Sequence, residues 1–459
     1  MVYVPHTDKE RREMLNAIGV GRLSDLFQDV PEKFRYPDLG LPDPVSEMEI
    51  RQELGELSDA NLNAYDVPCF LGAGAYRHWV PSVVDSVISR GEFYTAYTPY
   101  QAEVSQGTLQ AIFEYQSLIC DLTAMDVANA SHYDGATATA EAVIQAINVF
   151  RLRRHKIVLA PTVHPMYRAA VRTYMQGMDM EIVGDDDLTR SLGDLIEMVD
   201  DETACLVIQS PNFFGELEDV ADVVERVRAR DKKTLVAVAT NPLSLGLFTP
   251  PGDQGAHIVM GEGQPLGLGL NFGGPYLGFY ATRSKYLRQL AGRLAGETMD
   301  IEGRRGYVLT LTTREQHIRR ERATSNICTN QGLMALAATV YLAALGKQGL
   351  RKIAELNYHK AHYAAREIDA LEGYHVLNAK PFFNEFVVEC PAPVHEVNDF
   401  LLNDYEIDIV GGYDLSRDYP RRENQMLVAV TEVNAREEID DLVDALAEFA
   451  ASTIGEHHG

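Results

Sequence analysis

ACLVIQSPNFFGELEDVADVVERVRARDKKTLVAVAT, residues Ala204–Thr240, sets the fold class of this 459-residue chain. Two runs in it, ACLVIQ and TLVAVAT, are apolar at nearly every position, so a strand built from either has both faces away from water. Between them, Val220 to Ala229 carries valines at helical spacing. A strand, a helix and a second strand in that order make one parallel crossover unit.

The same rhythm extends in both directions. KIVLAP (156–161) and MEIVG (180–184) come before it, HIVMG (257–261) and YLGFYAT (276–282) after it, and Met166–Met175 reads as another helix. HYDGATATAEAVIQAINVF opens a long helix that ends near Asn148. These elements predict an α/β domain whose mostly parallel sheet is covered on both faces. Farther on, Leu287–Leu294, Gly332–Leu345 and Lys360–Leu371 read as helices. NEFVVEC (384–390) and MLVAVTE (426–432) read as strands, GGYDLS (411–416) as a glycine turn beside them, and Glu437–Ala451 as a closing amphipathic helix. Together they predict a smaller C-terminal α+β domain.

The N-terminal stretch reads as a helical arm. Lys9–Ile18 and Val45–Leu57 are helical patches separated by the proline-rich Pro31–Pro44, and Ser46 with Glu49 has capping-box spacing. Such short helices cannot build a core, so the arm is expected to wrap the main domain or a partner subunit. The division predicted is 1–65, 66–325 and 326–459.

A formal net charge of -26 and a pI near 4.9 argue against nucleic acid or an anionic membrane as partner. The charged start MVYVPHTDKERREML lacks the pattern of a signal peptide, and no uninterrupted apolar run is long enough for a membrane span, so a cytoplasmic protein is expected. Lysine occurs only at 9, 33, 156, 232, 233, 285, 347, 352, 360 and 380, out of 41 basic residues. Acidic clusters at Asp185–Asp187 and Asp200–Glu202 add to a lysine-poor, acidic surface, which concentrated salt would screen. Adaptation to high salt is one reading; an ordinary acidic protein is the other. Five scattered cysteines, Cys69, Cys120, Cys205, Cys328 and Cys390, form no C-x-x-C pair and suggest neither a zinc site nor a disulfide framework. Cys120, Cys205 and Cys390 sit among apolar residues and read as buried. Cys328 also reads as structural rather than reactive. The histidines of the tail GEHHG (455–459) are read as incidental, in a disordered end, and no metal site is expected.

Phe93–Gln110, FYTAYTPYQAEVSQGTLQ, places Tyr94, Tyr97 and Tyr100 every third residue around Pro99. Proline bars a continuous helix there, so a kinked loop is expected, with phenols turned toward a pocket or an interface and Ser105 capping the next helix. A plain surface loop with solvated tyrosines is the alternative.

TAYTPYQAEVSQGTLQ (95–110), followed by Tyr115 and Gln116, and TREQHIRRERATSNICTNQ (313–331) resemble two signatures of the glycine cleavage system P-protein family, glycine dehydrogenases (decarboxylating). The resemblance runs from near the N-terminus to near residue 450. It implies the aspartate-aminotransferase-like fold, fold type I of the pyridoxal-phosphate (PLP) enzymes, for the large domain. That chemistry needs three things. A small-residue helix start should cradle the phosphate, and YDGATATA (133–140) has that form, making Gly135 and Thr137 cofactor-binding candidates. A carboxylate should end a central strand beside the pyridine nitrogen, but Ala239, Thr240 and Asn241 stand there. A sheltered lysine should follow HIVMG, and GEGQPLGLGLNFGGPYLG (261–278) contains none.

Lys285 is the nearest lysine and reads as an exposed helix start; Lys156, Lys232 and Lys233 read as solvated turns. The family includes a two-chain form, in which one subunit holds PLP through its lysine and a homologous chain without it completes the site. This chain resembles the second kind. The resemblance therefore implies an α2β2 partner bearing the PLP, glycine as substrate, and the lipoyl arm of H-protein as acceptor of the aminomethyl group. Tyr94, Tyr97 and Tyr100 would be its catalytic contribution across the interface. His164 sits where this fold often places a ring against PLP and reads here as a relic or a structural hydrogen-bonder. Arg314, Arg319, Arg320 and Arg322 could meet an acidic partner, or pair with Glu315 and Glu321 at helical spacing. A scaffold or regulatory protein on a degenerate transferase fold, and a self-sufficient enzyme using Lys285, are the competing readings.

Overall fold

The computed structural model describes residues 5–456, with side chains as far as Thr453; His457 and His458 lie outside the described residues. Residues up to Leu62 form one unit and those from Asn63 a second. In the first, helices Asp8–Ile18 and Glu47–Asp59 each begin at a reciprocal capping box, Thr7 with Glu10 and Ser46 with Glu49. Ser46 Oγ accepts from the Glu49 N–H at 3.3 Å, while the Glu49 carboxylate accepts from the Ser46 N–H at 2.8 Å. Two otherwise orphaned donors are thereby satisfied. No residue of either helix is buried.

The second unit is built on a seven-stranded sheet. Its strands are β1 (Val127–Ala128), β2 (Lys156–Leu159), β3 (Glu181–Val183), β4 (Thr203–Gln209), β5 (Leu235–Ala239), β6 (Ile258–Glu262) and β7 (Gly278–Thr282), in the order β1-β7-β6-β5-β4-β2-β3. The pairs β2·β3, β2·β4, β4·β5 and β5·β6 are parallel; β6·β7 and β1·β7 are antiparallel. The α/β architecture with a mostly parallel sheet is the one predicted. Every residue of β5 and β6 is buried, as expected for apolar runs with helices on both sides. Helix Gly135–Val149 lies across β4 to β7, and its small residues Ala138, Ala140 and Ala142 let the backbone approach the sheet closely.

Three local readings are corrected. Leu287–Leu294 is not a helix: a short 3-10 turn, Ser284–Gln289, leads to a hairpin of β8 (Leu294–Met299) and β9 (Arg305–Thr310). Gln116 of helix Gln106–Thr123 stabilises it by pairing with both backbone groups of Ala295, each at 2.9 Å, which a sequence pattern does not reveal. Ser105 precedes that helix, but its hydroxyl makes no cap. The two helices expected at 332–345 and 360–371 are halves of Gly332–Asp369, broken at Gly346, whose φ of +59° favours glycine. That helix is the one among the described residues long and apolar enough to cross a membrane by length and composition; Ala335–Thr339, Tyr341 and Leu342 bury its first half in the core.

A four-stranded antiparallel sheet follows, β10 (His375–Val376), β11 (Glu385–Glu389), β12 (Tyr413–Asp414) and β13 (Gln425–Ala429), in the order β10-β11-β13-β12, closed by helix Arg436–Glu456. GGYDLS thus supplies an edge strand as well as a turn. Other expectations shift at single residues. Lys156 is not solvated but pairs with Asp200 at 2.7 Å, its side chain largely buried. Asp185 is buried against Arg168 and Arg172 rather than on the acidic surface. Cys205 and Cys390 are buried, Cys69 and Cys120 partly so, and Cys328 is exposed.

Candidate functional site

In a doubly covered sheet, the carboxyl ends of the strands form the natural crevice. Here that crevice is bounded by Gln209 at the end of β4, Ala239 at the end of β5 with Thr240 and Asn241 beyond it, and Glu262 at the end of β6. The start of helix Gly135–Val149 adds its first backbone donor, since the Gly135 N–H gives its hydrogen bond to Glu262 at 2.9 Å. The loop Phe70–Tyr76 and Glu385, the first residue of β11, lie over the opening.

Side chains of this chain fill the crevice. The Glu262 carboxylate accepts three backbone N–H bonds, from Gly135 at 2.9 Å, Gln264 at 2.9 Å and Leu277 at 3.0 Å. Burial pushes its pKa up to about 7, and the three donors oppose that shift. The glycines on either side permit the approach: a Cβ at Gly263 would lie 2.9 Å from the Leu277 carbonyl oxygen, and one at Gly261 would collide with the Thr240 carbonyl. A Cβ at Gly135 would collide with the Tyr167 phenol and stand 2.7 Å from the Glu262 nitrogen.

His164 stacks on Tyr167 with centroids 4.8 Å apart, and Phe213 meets it edge-on at 4.9 Å. Its Nε2 donates to the Ala73 carbonyl at 2.9 Å, and its Nδ1 accepts from the Met166 N–H at 3.1 Å. Both nitrogens are thus used in the neutral ring, consistent with burial lowering its pKa. His164 is the structural hydrogen-bonder that the sequence allowed. Glu385 accepts from the Tyr76 hydroxyl and the Ala73 N–H, both at 2.8 Å, holding the loop down. What remains is a cavity of about 30 Å³, space for about two waters.

PLP does not fit these residues. The Gly135 donor is taken by Glu262, and the Thr137 hydroxyl and N–H are taken by Asp134 at 2.9 and 2.7 Å. Neither cofactor-binding candidate keeps a free group for a phosphate. No carboxylate stands at the end of β5, and the cavity lining includes no lysine. Lys285 is exposed over the Tyr286 ring, 4.7 Å from its centroid.

The two signature segments meet elsewhere, at a second cleft of about 110 Å³. Tyr97, Thr98 and Pro99 wall one side and Thr329 and Asn330 the other, with Arg293 between them. Arg293 precedes β8, is buried, and pairs with no carboxylate among the described residues. Its Nη1 donates to Asn330 Oδ1 at 3.3 Å, and its Nη2 to the Tyr100 hydroxyl at 3.1 Å; its Nε finds no partner among the described residues. Of the three tyrosines, Tyr97 lines the cleft, Tyr100 is bonded to Arg293, and Tyr94 ends the one-turn helix Gly91–Tyr94 outside the lining. All three rings are largely exposed.

The arginine segment divides. Arg314 is turned inward, donating to the Leu311 and Gly292 carbonyls at 3.1 and 3.0 Å, while Arg319, Arg320 and Arg322 are exposed. The expected helical pairings do not form: Glu315 faces His317 at 3.5 Å, and Glu321 only its neighbour Arg322 at 3.8 Å.

Sequence reading missed Glu262, Tyr167 and Arg293. Glu262 had a signal, a carboxylate between glycines directly after a buried strand; Arg293 had none, since its partners come from residues 100 and 330.

The family model of the glycine cleavage system P-protein matches residues 1–446. A Thermomicrobium roseum protein named probable glycine dehydrogenase (decarboxylating) subunit 1 is 54% identical over 454 residues, covering 98% of this chain and 100% of that protein. A crystal structure of glycine decarboxylase (P-protein) of the glycine cleavage system, in inhibitor-bound form, superposes with a TM-score of 0.89 at 42% identity, over 98% of this chain and 100% of that one. A Lactobacillus brevis glutamate decarboxylase shares the fold, at TM-score 0.63 and 15% identity over 92% and 97% of the two chains. With a family match of this extent and a relative this similar over its whole length, the chain belongs to the glycine cleavage system P-protein family.

Proposed function

We propose that this chain is the lysine-less subunit of a decarboxylating glycine dehydrogenase, an oxidoreductase of glycine breakdown that works only with a homologous, PLP-bearing subunit. One observation carries the reading: the chain's own cofactor crevice is lined by Glu262, Tyr167 and His164 and keeps only about 30 Å³, while both family segments converge on a larger cleft, of about 110 Å³, around Arg293. A chain that kept its signature residues but closed its cofactor crevice serves a site completed by another chain. In that assembly, an α2β2 heteromer in the cytoplasm, the partner's lysine holds PLP, which supplies the electron sink for loss of the glycine carboxyl. The lipoyl arm of H-protein accepts the aminomethyl group. This chain contributes the wall formed by Tyr97, Thr98 and Asn330, with Tyr100 held by Arg293, to position glycine and keep water out. The exposed Arg319, Arg320 and Arg322 offer a cationic patch on an otherwise acidic chain, suited to an acidic carrier protein.

Mixing the purified chain with a lysine-bearing homologue decides the matter. Exchange of the glycine carboxyl carbon with labelled bicarbonate is expected from the mixture and from neither chain alone. Exchange by this chain alone would favour a self-sufficient enzyme. A stable complex whose activity is unaffected by changes at Tyr97 and Tyr100 would favour a scaffold.

A further inference from the structure

The free N–H groups at a helix start attract an anion, and in a phosphate-binding enzyme of this fold class a ligand supplies it. In this chain the anion is internal. Helix Gly135–Val149 already has a side-chain cap, because Asp134 accepts from the Thr137 N–H at 2.7 Å. Glu262, 127 residues away in sequence, is not the residue that caps Thr137. It nevertheless brings a carboxylate to the next donor, Gly135, and adds the N–H groups of Gln264 and Leu277. All three partners can only donate, and they engage both carboxylate oxygens, the arrangement an oxyanion ligand would meet. The neighbours complete the enclosure: Tyr167 over Gly135, His164 against Gly74, where a Cβ would lie 2.6 Å from its Nε2, and Gln264 bonded to both the N–H and the carbonyl of Tyr76 at 3.0 and 2.8 Å.

We propose that Glu262 is a built-in substitute for a ligand oxyanion, sealing the crevice of this chain against phosphate esters, and that removing its carboxylate turns the crevice into a receptor for small oxyanions of the formate class. The inference goes beyond the functional reading and is tested on the isolated full-length chain, so that neither outcome depends on assembly with a partner.

The thermal midpoint is measured for wild type, Glu262→Ala and Glu262→Gln in sodium formate, sodium phosphate, sodium sulfate and KCl at matched ionic strength. Wild type is expected to gain no more from phosphate than from sulfate, the general stabilisation that excluded salts give any fold, and nothing from formate beyond KCl. Glu262→Ala should be less stable in KCl and regain more than half of the loss in about 50 mM formate, by mass action on the folded state. Glu262→Gln should lose stability, because its amide nitrogen faces backbone donors, and should gain nothing from formate, because its side chain fills the space. Wild type stabilised by phosphate beyond sulfate, Glu262→Ala indifferent to formate, or Glu262→Gln as stable as wild type would each overturn the proposal. If Glu262→Ala does not fold, the wild-type and Glu262→Gln arms still decide it.

Discussion

Arg293 donates a 3.1 Å hydrogen bond to the Tyr100 hydroxyl, and its guanidinium carbon lies 5.4 Å from the centre of the same ring. Through this pair the tyrosine segment is fixed to the chain just before β8, and Asn330 on the other guanidinium nitrogen brings in the second signature segment. A buried guanidinium held only by neutral groups is costly, so its retention is better explained by what the cleft does than by stability.

Tyr97→Phe and Tyr100→Phe are expected to slow glycine–bicarbonate exchange in the assembled enzyme by about 10- to 1000-fold, or about 1.4 to 4 kcal/mol of barrier. Tyr94→Phe, outside the cleft lining, should stay near wild type. The exposed rings contribute little to the core, so the thermal midpoints of Tyr94→Phe and Tyr97→Phe should match wild type, while Tyr100→Phe, which leaves a donor of the buried Arg293 unpaired, should fall somewhat lower. Assembly-competent Tyr97 and Tyr100 variants with full activity would remove the cleft from the mechanism.

Arg293→Met should lower activity at least as much as Tyr100→Phe, since it breaks the bond to Tyr100 and the bond to Asn330 as well. The double variant should then cost little more than Arg293→Met alone, the mark of two residues acting as one unit. Fully additive losses would show that they act separately.

Reduction of the mixed enzyme with borohydride in the presence of PLP, followed by peptide mapping, should place pyridoxyl-lysine in the partner and none in this chain. The crevice lining here holds no lysine and Lys285 is exposed. Stoichiometric labelling of any lysine in this chain would refute the assignment of the cofactor to the partner.

Glu141 on helix Gly135–Val149 is buried, with Oε1 bonded to Ser325 and Oε2 without a partner among the described residues; burial pushes its pKa from 4.5 up to about 7. Its folded pKa lies above its unfolded one, so its contribution is complete below about pH 4.5 and is lost as the pH rises through 7. Glu141→Gln should therefore gain stability relative to wild type between pH 5 and pH 8, by at most about 3 kcal/mol. Urea unfolding at the two pH values measures the difference; a gap that does not change with pH would mean the carboxyl is not buried as described.

If the acidic, lysine-poor surface is an adaptation to salt, the thermal midpoint should rise from about 0.1 to 2 M KCl, beyond the range where Debye screening saturates. A flat or falling profile would mark an ordinary acidic protein.

Sequence alone determined the α/β class, six of the seven strands of the large sheet, the two arm helices with the cap of the second, and the family. These rest on local signals, such as apolar runs like ACLVIQ, capping-box spacing and two long motifs, and a local signal can be read one residue after another. It also placed the missing lysine, because that position is fixed relative to β6. The tertiary structure decided what fills the gap. Glu262, Tyr167 and His164 close one crevice, and Arg293, Tyr100 and Asn330 build another, through contacts spanning tens to hundreds of residues that leave no periodic trace. The hairpin β8–β9 went unseen for the same reason: Gln116, some 180 residues away, completes the hydrogen bonding of Ala295. Hydrogen-bond donors and acceptors buried by folding must find partners wherever the chain brings them, and only the folded chain shows which partners those are.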